Sequence, residues 1–371
     1  MNGVDQRRRV VVAASIGTTA LLVILALIIG LVVWRSYQAS VESGCTGKCL
    51  ERYTFAVIGD FPYSSQQLKE LPAIIDQINN DPDVSLVAHL GDIKEDQPCT
   101  TSYYREIKKQ FDTFEDPLVY TFGDNEWADC YKESDGNRDP LERLSTLRKV
   151  FVPQREQTLG QNSERVQIQD RKYPENVTFS HARVSFGAFH TTGPRNGLVR
   201  WHGQEAPTPA QRAEVKQRTA ANIKTIRATF EAARSEDQRA VVLFTQADMF
   251  ATYFKSRADS APFAPIVRAI SDEARNFSGP VYLFNGDTHQ YVNDEPLSSG
   301  SEWLKTYGVR PLTNFSRVTI DGDENGKNYL KVTIRPDFSK VMSWTRVEFT
   351  TAAAARRASA RNSPTPSPTP S

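Results

Sequence analysis

Five stretches of this sequence run from a short apolar segment straight into a carboxylate or an amide. FAVIGD ends at Asp60, LVAHLGD at Asp92, LVYTFGD at Asp124 and VYLFNGD at Asp287, while VVLFTQAD closes on Gln246 and Asp248. Carboxylates gathered about 4 Å apart repel by roughly 4 kcal/mol per pair at an effective dielectric near 20, so a cluster of them needs protons, basic partners or bound cations. Cations answer that need most simply. The chemistry these residue types support is therefore metal-ion chemistry, with oxygen ligands predominating. The blander reading of each aspartate is a cap for the following helix, but capping alone does not account for four of them at matching strand ends.

Near-continuous apolar runs suit strands covered on both faces, and in open α/β sheets ligands bind beyond the carboxyl ends of the strands. Asp60, Asp92 and Asp124 are each 32 residues apart, about one strand–helix–strand unit, which predicts that they stand side by side along one sheet edge. The connecting helix at 65–79 carries Leu68, Leu71, Ile74, Ile75 and Ile78 at helical spacing. Further helices are predicted at 102–114, 140–150 (with Asp139 as N-cap and Pro140 first), 209–233 and 263–276. The stretches 166–168 and 177–190 alternate in polarity and predict antiparallel strands. Towards the end, strands at 314–320 and 329–334 flank DGDENGK, read as a hairpin turn rather than a calcium loop. A last strand is expected at 345–350.

The chain has 371 residues and a formal net charge of +1, which gives no pull toward nucleic acid. Residues 10–34 carry no charge and are long enough to cross about 30 Å of hydrocarbon. Arg7, Arg8 and Arg9 precede this run and Arg35 follows it. The positive-inside rule then predicts a single-pass anchor, with 1–9 cytoplasmic and a stalk at 35–51 and a folded domain at 52–350 outside. A cleaved signal with a long apolar core is the competing reading. Residues 351–371 end in SPTPSPTPS, with nothing to bury, and predict a disordered tail. Four cysteines in an extracytoplasmic domain favour disulfides. Cys99 and Cys130 lie just past neighbouring strand ends and are expected to pair, a closure worth roughly 3 to 4 kcal/mol in the chain-entropy model. Cys45 and Cys49 are left for each other. Sequons at Asn176, Asn276 and Asn314 fit a glycosylated ectodomain.

Taken together, GDFPY (59–63), GDIKE (91–95), GDNEW (123–127), TQAD (245–248) and GDTH (286–289) resemble the five-block signature of the calcineurin-like metallophosphoesterases, which include the purple acid phosphatases. The resemblance implies an α/β domain, a two-sheet β sandwich flanked by helices, with two metal ions at the strand ends. It casts Asp92 as the bridging ligand, Asp60 as a ligand of the first metal and His289 as that metal's imidazole. Departures are as specific as matches. Pro62 stands where many members have a metal-binding histidine, and Glu95 stands where purple acid phosphatases carry a ligand tyrosine. The third block reads Gly-Asp-Asn-Glu, leaving either Asp124 or Asn125 as the ligand and no histidine to assist the leaving group. Gln246, with Asp248 nearby, replaces the histidine of the fourth block, and Asp287 replaces the first histidine of the fifth.

These exchanges replace imidazoles by carboxylates and amides, which suits two divalent ions such as Mn²⁺, Mg²⁺ or Ca²⁺ better than zinc or iron. Asp60, Asp92 and His289, with Glu95, are candidate ligands of one ion, and Asp92, Asp124 or Asn125, Gln246 and Asp287 of the other. The expected reaction is hydrolysis of a phosphate ester by a two-metal mechanism with hydroxide as nucleophile. Catalytic candidates are Asn125 and, as sources of the missing acid, His190 and His202. His89, inside a strand, is expected to be packed, and Trp127 to cover the site or the Cys99–Cys130 region. The alternative is a catalytically impaired member of the same fold, serving as a binding or scaffold protein at the membrane.

Overall fold

A computed structural model describes residues 52–350, apart from 96, 153 and 255. The predicted anchor, the Cys45–Cys49 pair and the Pro-Thr-Ser tail lie outside the described residues. No helix among the described residues is long and apolar enough to cross a membrane.

Two mixed sheets, of five and six strands, form the centre. In the first, β1 (Tyr53–Ile58), β2 (Val84–His89) and β3 (Leu118–Tyr120) run parallel as neighbours. Its other edge is antiparallel, with β10 (Asn328–Ile334) on β1 and β11 (Met342–Glu348) outermost. The second sheet has the order β4 (Val177–His181), β5 (Val184–Ala188), β6 (Ala240–Phe244), β7 (Val281–Asn285), β9 (Phe315–Thr319) and β8 (Val292–Asp294).

The apolar runs are continuous because each strand is buried on both faces. Phe55 and Val57 of β1 enter the core between the sheets, whereas Ala56 and Ile58 enter the core beneath the helices. In β6, Val242 and Phe244 face inward between the sheets and Val241 and Leu243 face the helices. Phe55 meets Phe186, Phe244 and Phe284 edge-on at 5.6, 5.8 and 5.9 Å between ring centroids. Helices Ser65–Asn79, Thr101–Phe111 and Pro140–Phe151 cover the first sheet, and Pro209–Ser235 and Ala264–Arg275 cover the second. Their starts follow local chemistry. Ser64 and Gln67 form a reciprocal capping box, and Asp139 Oδ1 accepts from Glu142 N at 3.0 Å just before Pro140.

Three expectations change. DGDENGK is not a hairpin turn: β9 pairs with β7 in the second sheet and β10 with β1 in the first, so the segment crosses between sheets. A tight turn and a crossover share the same Gly and Asp composition, and only the pairing partners distinguish them. β4 and β5 are antiparallel as predicted, but β5 continues as a parallel neighbour of β6, and 166–168 contributes a single bridge, Gln167 to Thr178. Two sequons hold committed amides. The buried Asn176 donates to Asn222 Oδ1 at 2.8 Å and accepts from His190 N at 2.9 Å, and Asn314 Nδ2 lies 3.0 Å from each of the carbonyls of Ala274, Phe277 and Gly279. Asn276 alone of the three has an exposed side chain.

Candidate metal centre

The loops after β1, β2 and β7 carry Asp60, Asp92, Asp287 and His289, all with left-handed backbone, at φ 48, 51, 76 and 58°. Such conformations cost about 1–3 kcal/mol each in residues other than Gly, and Asp and His bear them better than bulky or branched residues do. One ligand atom each from Asp60, Asp92 and His289 lies within 4.8 Å of the others. Tyr63 adds a hydroxyl 3.0 Å from Asp92 Oδ2 and 3.0 Å from His289 Nε2.

Asp92 is held from the other side as well. Asn125 N donates to its Oδ1 at 3.2 Å and Gln246 Nε2 to its Oδ2 at 3.0 Å, while Gln246 Oε1 accepts from Gly193 N at 3.1 Å. Gly123 lets this happen, since a Cβ there would sit 1.8 Å from Asp92 Oδ1. The two sheets are joined across the site by Asp287 N, which donates to Asp60 Oδ2 at 2.9 Å, and within the second sheet's loops Asp248 N donates to Asp287 Oδ2 at 3.0 Å. Asp124 is buried, and its Oδ1 has no hydrogen-bond partner.

Burial first, and then the neighbouring carboxylates, push Asp60, Asp92 and Asp124 well above the usual carboxylate range. Burial likewise raises Asp287 to about 7, against the pull of the Asp248 N–H. Among the described residues, no lysine or arginine forms an ion pair with any of these four. Converging buried carboxylates, one imidazole and an orphaned buried oxygen form a donor set that fits hard cations.

Of the remaining sequence candidates, Asp248, Glu95 and His190 have other partners. Asp248 Oδ1 is held by Arg317 at 2.6 Å and by Phe250 N at 2.9 Å, and Arg317 reaches across to Asp294 on β8. Glu95 is exposed and accepts from Asn125 Nδ2 at 2.8 Å. His190 is buried between Trp127, whose Nε1 donates to Nε2 at 3.1 Å, and Glu175, 3.1 Å from Nδ1. Both ring nitrogens are thereby engaged, and burial pulls the ring's pKa down to about 4. His202 is exposed in a turn. His89 is packed, as expected, with its Nε2 2.9 Å from Phe61 O. Trp127 is buried on His190 rather than lying over the carboxylates.

Cys99 and Cys130 form the expected disulfide, with Cα atoms 5.8 Å apart. Beside it the buried Lys94 pairs with Asp135 and donates to Asn125 O at 3.2 Å, fixing the third-block loop. Three contributors escape sequence reasoning. Glu126 anchors that same loop, accepting from Gly123 N at 2.6 Å and Tyr120 Oη at 2.7 Å. Tyr63 is visible in GDFPY, but nothing in the spacing points its hydroxyl at His289. The crossover after β9 closes over the first loop: Asp323 N donates to Asp60 O at 2.9 Å and Asn325 Nδ2 to His289 O at 3.1 Å.

Two mixed sheets between helices, with acidic strand-end loops meeting over one edge, define an α/β fold of the metallophosphoesterase type. The family model of the calcineurin-like phosphoesterases matches residues 53–291, and the chain belongs to that family. Among solved structures it is similar to GAP50, described as the anchor in the inner membrane complex of Plasmodium, at 8% identity over 82% of this chain and 90% of that one, with a TM-score of 0.39. It is also similar to TT1561 of Thermus thermophilus, at 11% identity over 80% of this chain and 100% of that one, with a TM-score of 0.39. No curated protein matches the chain.

Proposed function

We propose that this protein is a metal-dependent phosphoester hydrolase using two divalent cations. The observation that carries the reading is the convergence of Asp60, Asp92 and His289 within 4.8 Å, flanked by the raised carboxyls of Asp124 and Asp287. Asp60, Asp92 and His289 would hold one ion, and Asp92, Asp124 and Asp287, with Asn125 or Gln246, the other. When bound, such ions polarise a phosphoryl group and supply a nucleophile at neutral pH. The protein's own part is orientation. Gln246 and Asn125 fix the two oxygens of Asp92, and Glu126 and Lys94 hold the loop that carries Asp124. The oxygen-rich donor set favours Mn²⁺, Mg²⁺ or Ca²⁺. The disulfide suits an oxidising compartment, and anchorage through 10–34 would hold the domain at a membrane, facing out of the cytoplasm.

A second reading, a binding or scaffold protein that has lost turnover, is favoured by one feature: both nitrogens of His190 are engaged in a buried ladder, so that ring offers no proton to a leaving group. Metal content and turnover of an aryl phosphate separate the two. The hydrolase reading expects two ions per chain, hydrolysis dependent on them, and loss of both ions in Asp92→Asn. Ions bound without turnover favour the scaffold, and an Asp92→Asn variant that keeps both ions defeats the shared-ligand assignment.

A further inference from the structure

The segment that follows β6 passes through Gln246 and Asp248 and comes to the surface at Tyr253. Among the described residues, Tyr253 is the one large hydrophobic side chain that is exposed, at 48%. A single exposed aromatic ring is ordinary on a protein surface. What sets this one apart is its place: its hydroxyl lies 3.4 Å from Asp287 Oδ2, so the ring starts at the rim of the metal centre. The segment that carries it is firmly held. Phe254 stands perpendicular to the Tyr253 ring, at 5.4 Å and 88°, and is itself stacked on Phe263 at 5.9 Å and 7°. Phe254 N donates to Ala251 O at 3.1 Å and closes the turn between them. A perpendicular neighbour occupies at most one face of a ring, which leaves the other open to a second aromatic group. Tyrosine has few torsions to fix, and the hydroxyl contact and Phe254 restrain them in advance, so covering the ring costs little ordering entropy.

We propose that Tyr253 selects the substrate, its open face receiving a planar aromatic group carried by the phosphate ester. The assignment rests on the phosphoester reading above and adds a substrate class to it. A phosphate bound at the strand-end loops sits at the hydroxyl end of the Tyr253 ring. A group on its ester oxygen then extends along that ring: an aromatic one covers the face, and a methyl group leaves most of it in water. Tyr253 keeps its proton throughout. It takes no part in bond cleavage and acts on which esters bind.

The test titrates the Mn²⁺-loaded full chain with phenylphosphonate and with methylphosphonate, which mimic phosphate esters but are not cleaved, so the comparison does not depend on turnover. Wild type should bind the phenyl compound about tenfold more tightly, the scale of stacking on an aromatic side chain. Tyr253→Phe, which keeps the ring and removes the hydroxyl, should retain most of that preference. Tyr253→Ala, a truncation at an exposed position that leaves no cavity, should bring the two affinities together. Equal binding of both compounds by wild type overturns the proposal and leaves the phosphoester reading standing. So does a preference that persists in Tyr253→Ala, or that disappears instead in Tyr131→Ala, whose ring stacks on Trp201 at 6.5 Å. Wild type that binds neither phosphonate overturns the phosphoester reading and this assignment with it.

Discussion

At the scale of the residue, the site is a problem of buried like charge. Asp287 has its carboxyl raised to about 7, by burial first and then by Asp248 among its neighbours. A carboxyl whose folded pKa lies above its unfolded value keeps its proton more readily in the native state, so the metal-free protein loses stability as pH rises from about 4 to 7 through this group. A bound cation removes that cost, and the benefit is greatest where the carboxyl has ionised. The metal-induced rise in Tm should accordingly be larger at pH 8 than at pH 5, reaching an equivalent of about 2.7 kcal/mol at a hundredfold excess over Kd. Thermal scans with and without Mn²⁺ at the two pH values check this. An equal rise at both would mean that the ion binds away from these carboxylates.

At the scale of the element, the crossover between β9 and β10 is the part of the site least expected from the sequence. It brings Gly322 against Asp60, where a Cβ would lie 2.4 Å from Asp60 Cβ, too close for either backbone to stay in place. Gly322→Ala should push the first loop outward and move Asp60 relative to Asp92 and His289. The expected result is metal binding weaker by about tenfold or more, with the fold retained, as read by titration calorimetry and circular dichroism. Unchanged affinity would show that the crossover packs on the site without positioning it. The disulfide acts at the same scale, since Cys99 N is bonded to Asp135 O at 3.0 Å and Asp135 to Lys94, which supports Asn125.

At the scale of the whole molecule, the site exists because two sheets end at one place. Asp60, Asp92 and Asp124 follow three adjacent strands of one sheet, and Asp248 and Asp287 follow two adjacent strands of the other. Their relative position is set by the core between the sheets, in which Phe55 touches three phenylalanines of the opposite sheet. Phe55→Ala should cost about 3–5 kcal/mol of folding stability. It should also loosen the bridges from Asp287 N to Asp60 that cross from sheet to sheet. Chemical denaturation measures the first effect and metal affinity the second. A variant that loses stability yet binds metal unchanged would mean the loops hold their own geometry.

The sequence by itself determined the strand-end carboxylates, the order of β1, β2 and β3, the main helices and the Cys99–Cys130 pair. Each of these is written in local spacing: continuous apolar runs, strand–helix–strand intervals and capping residues. Tertiary structure decided what spacing cannot carry. It sent β9 and β10 to different sheets, gave Asp248 to Arg317, turned His190 toward Glu175 and brought Tyr63 to a histidine 226 positions away. A carboxylate or an imidazole commits to whichever partner the folded chain presents, and those partners come from distant segments whose meeting depends on sheet order and core packing rather than on any local pattern.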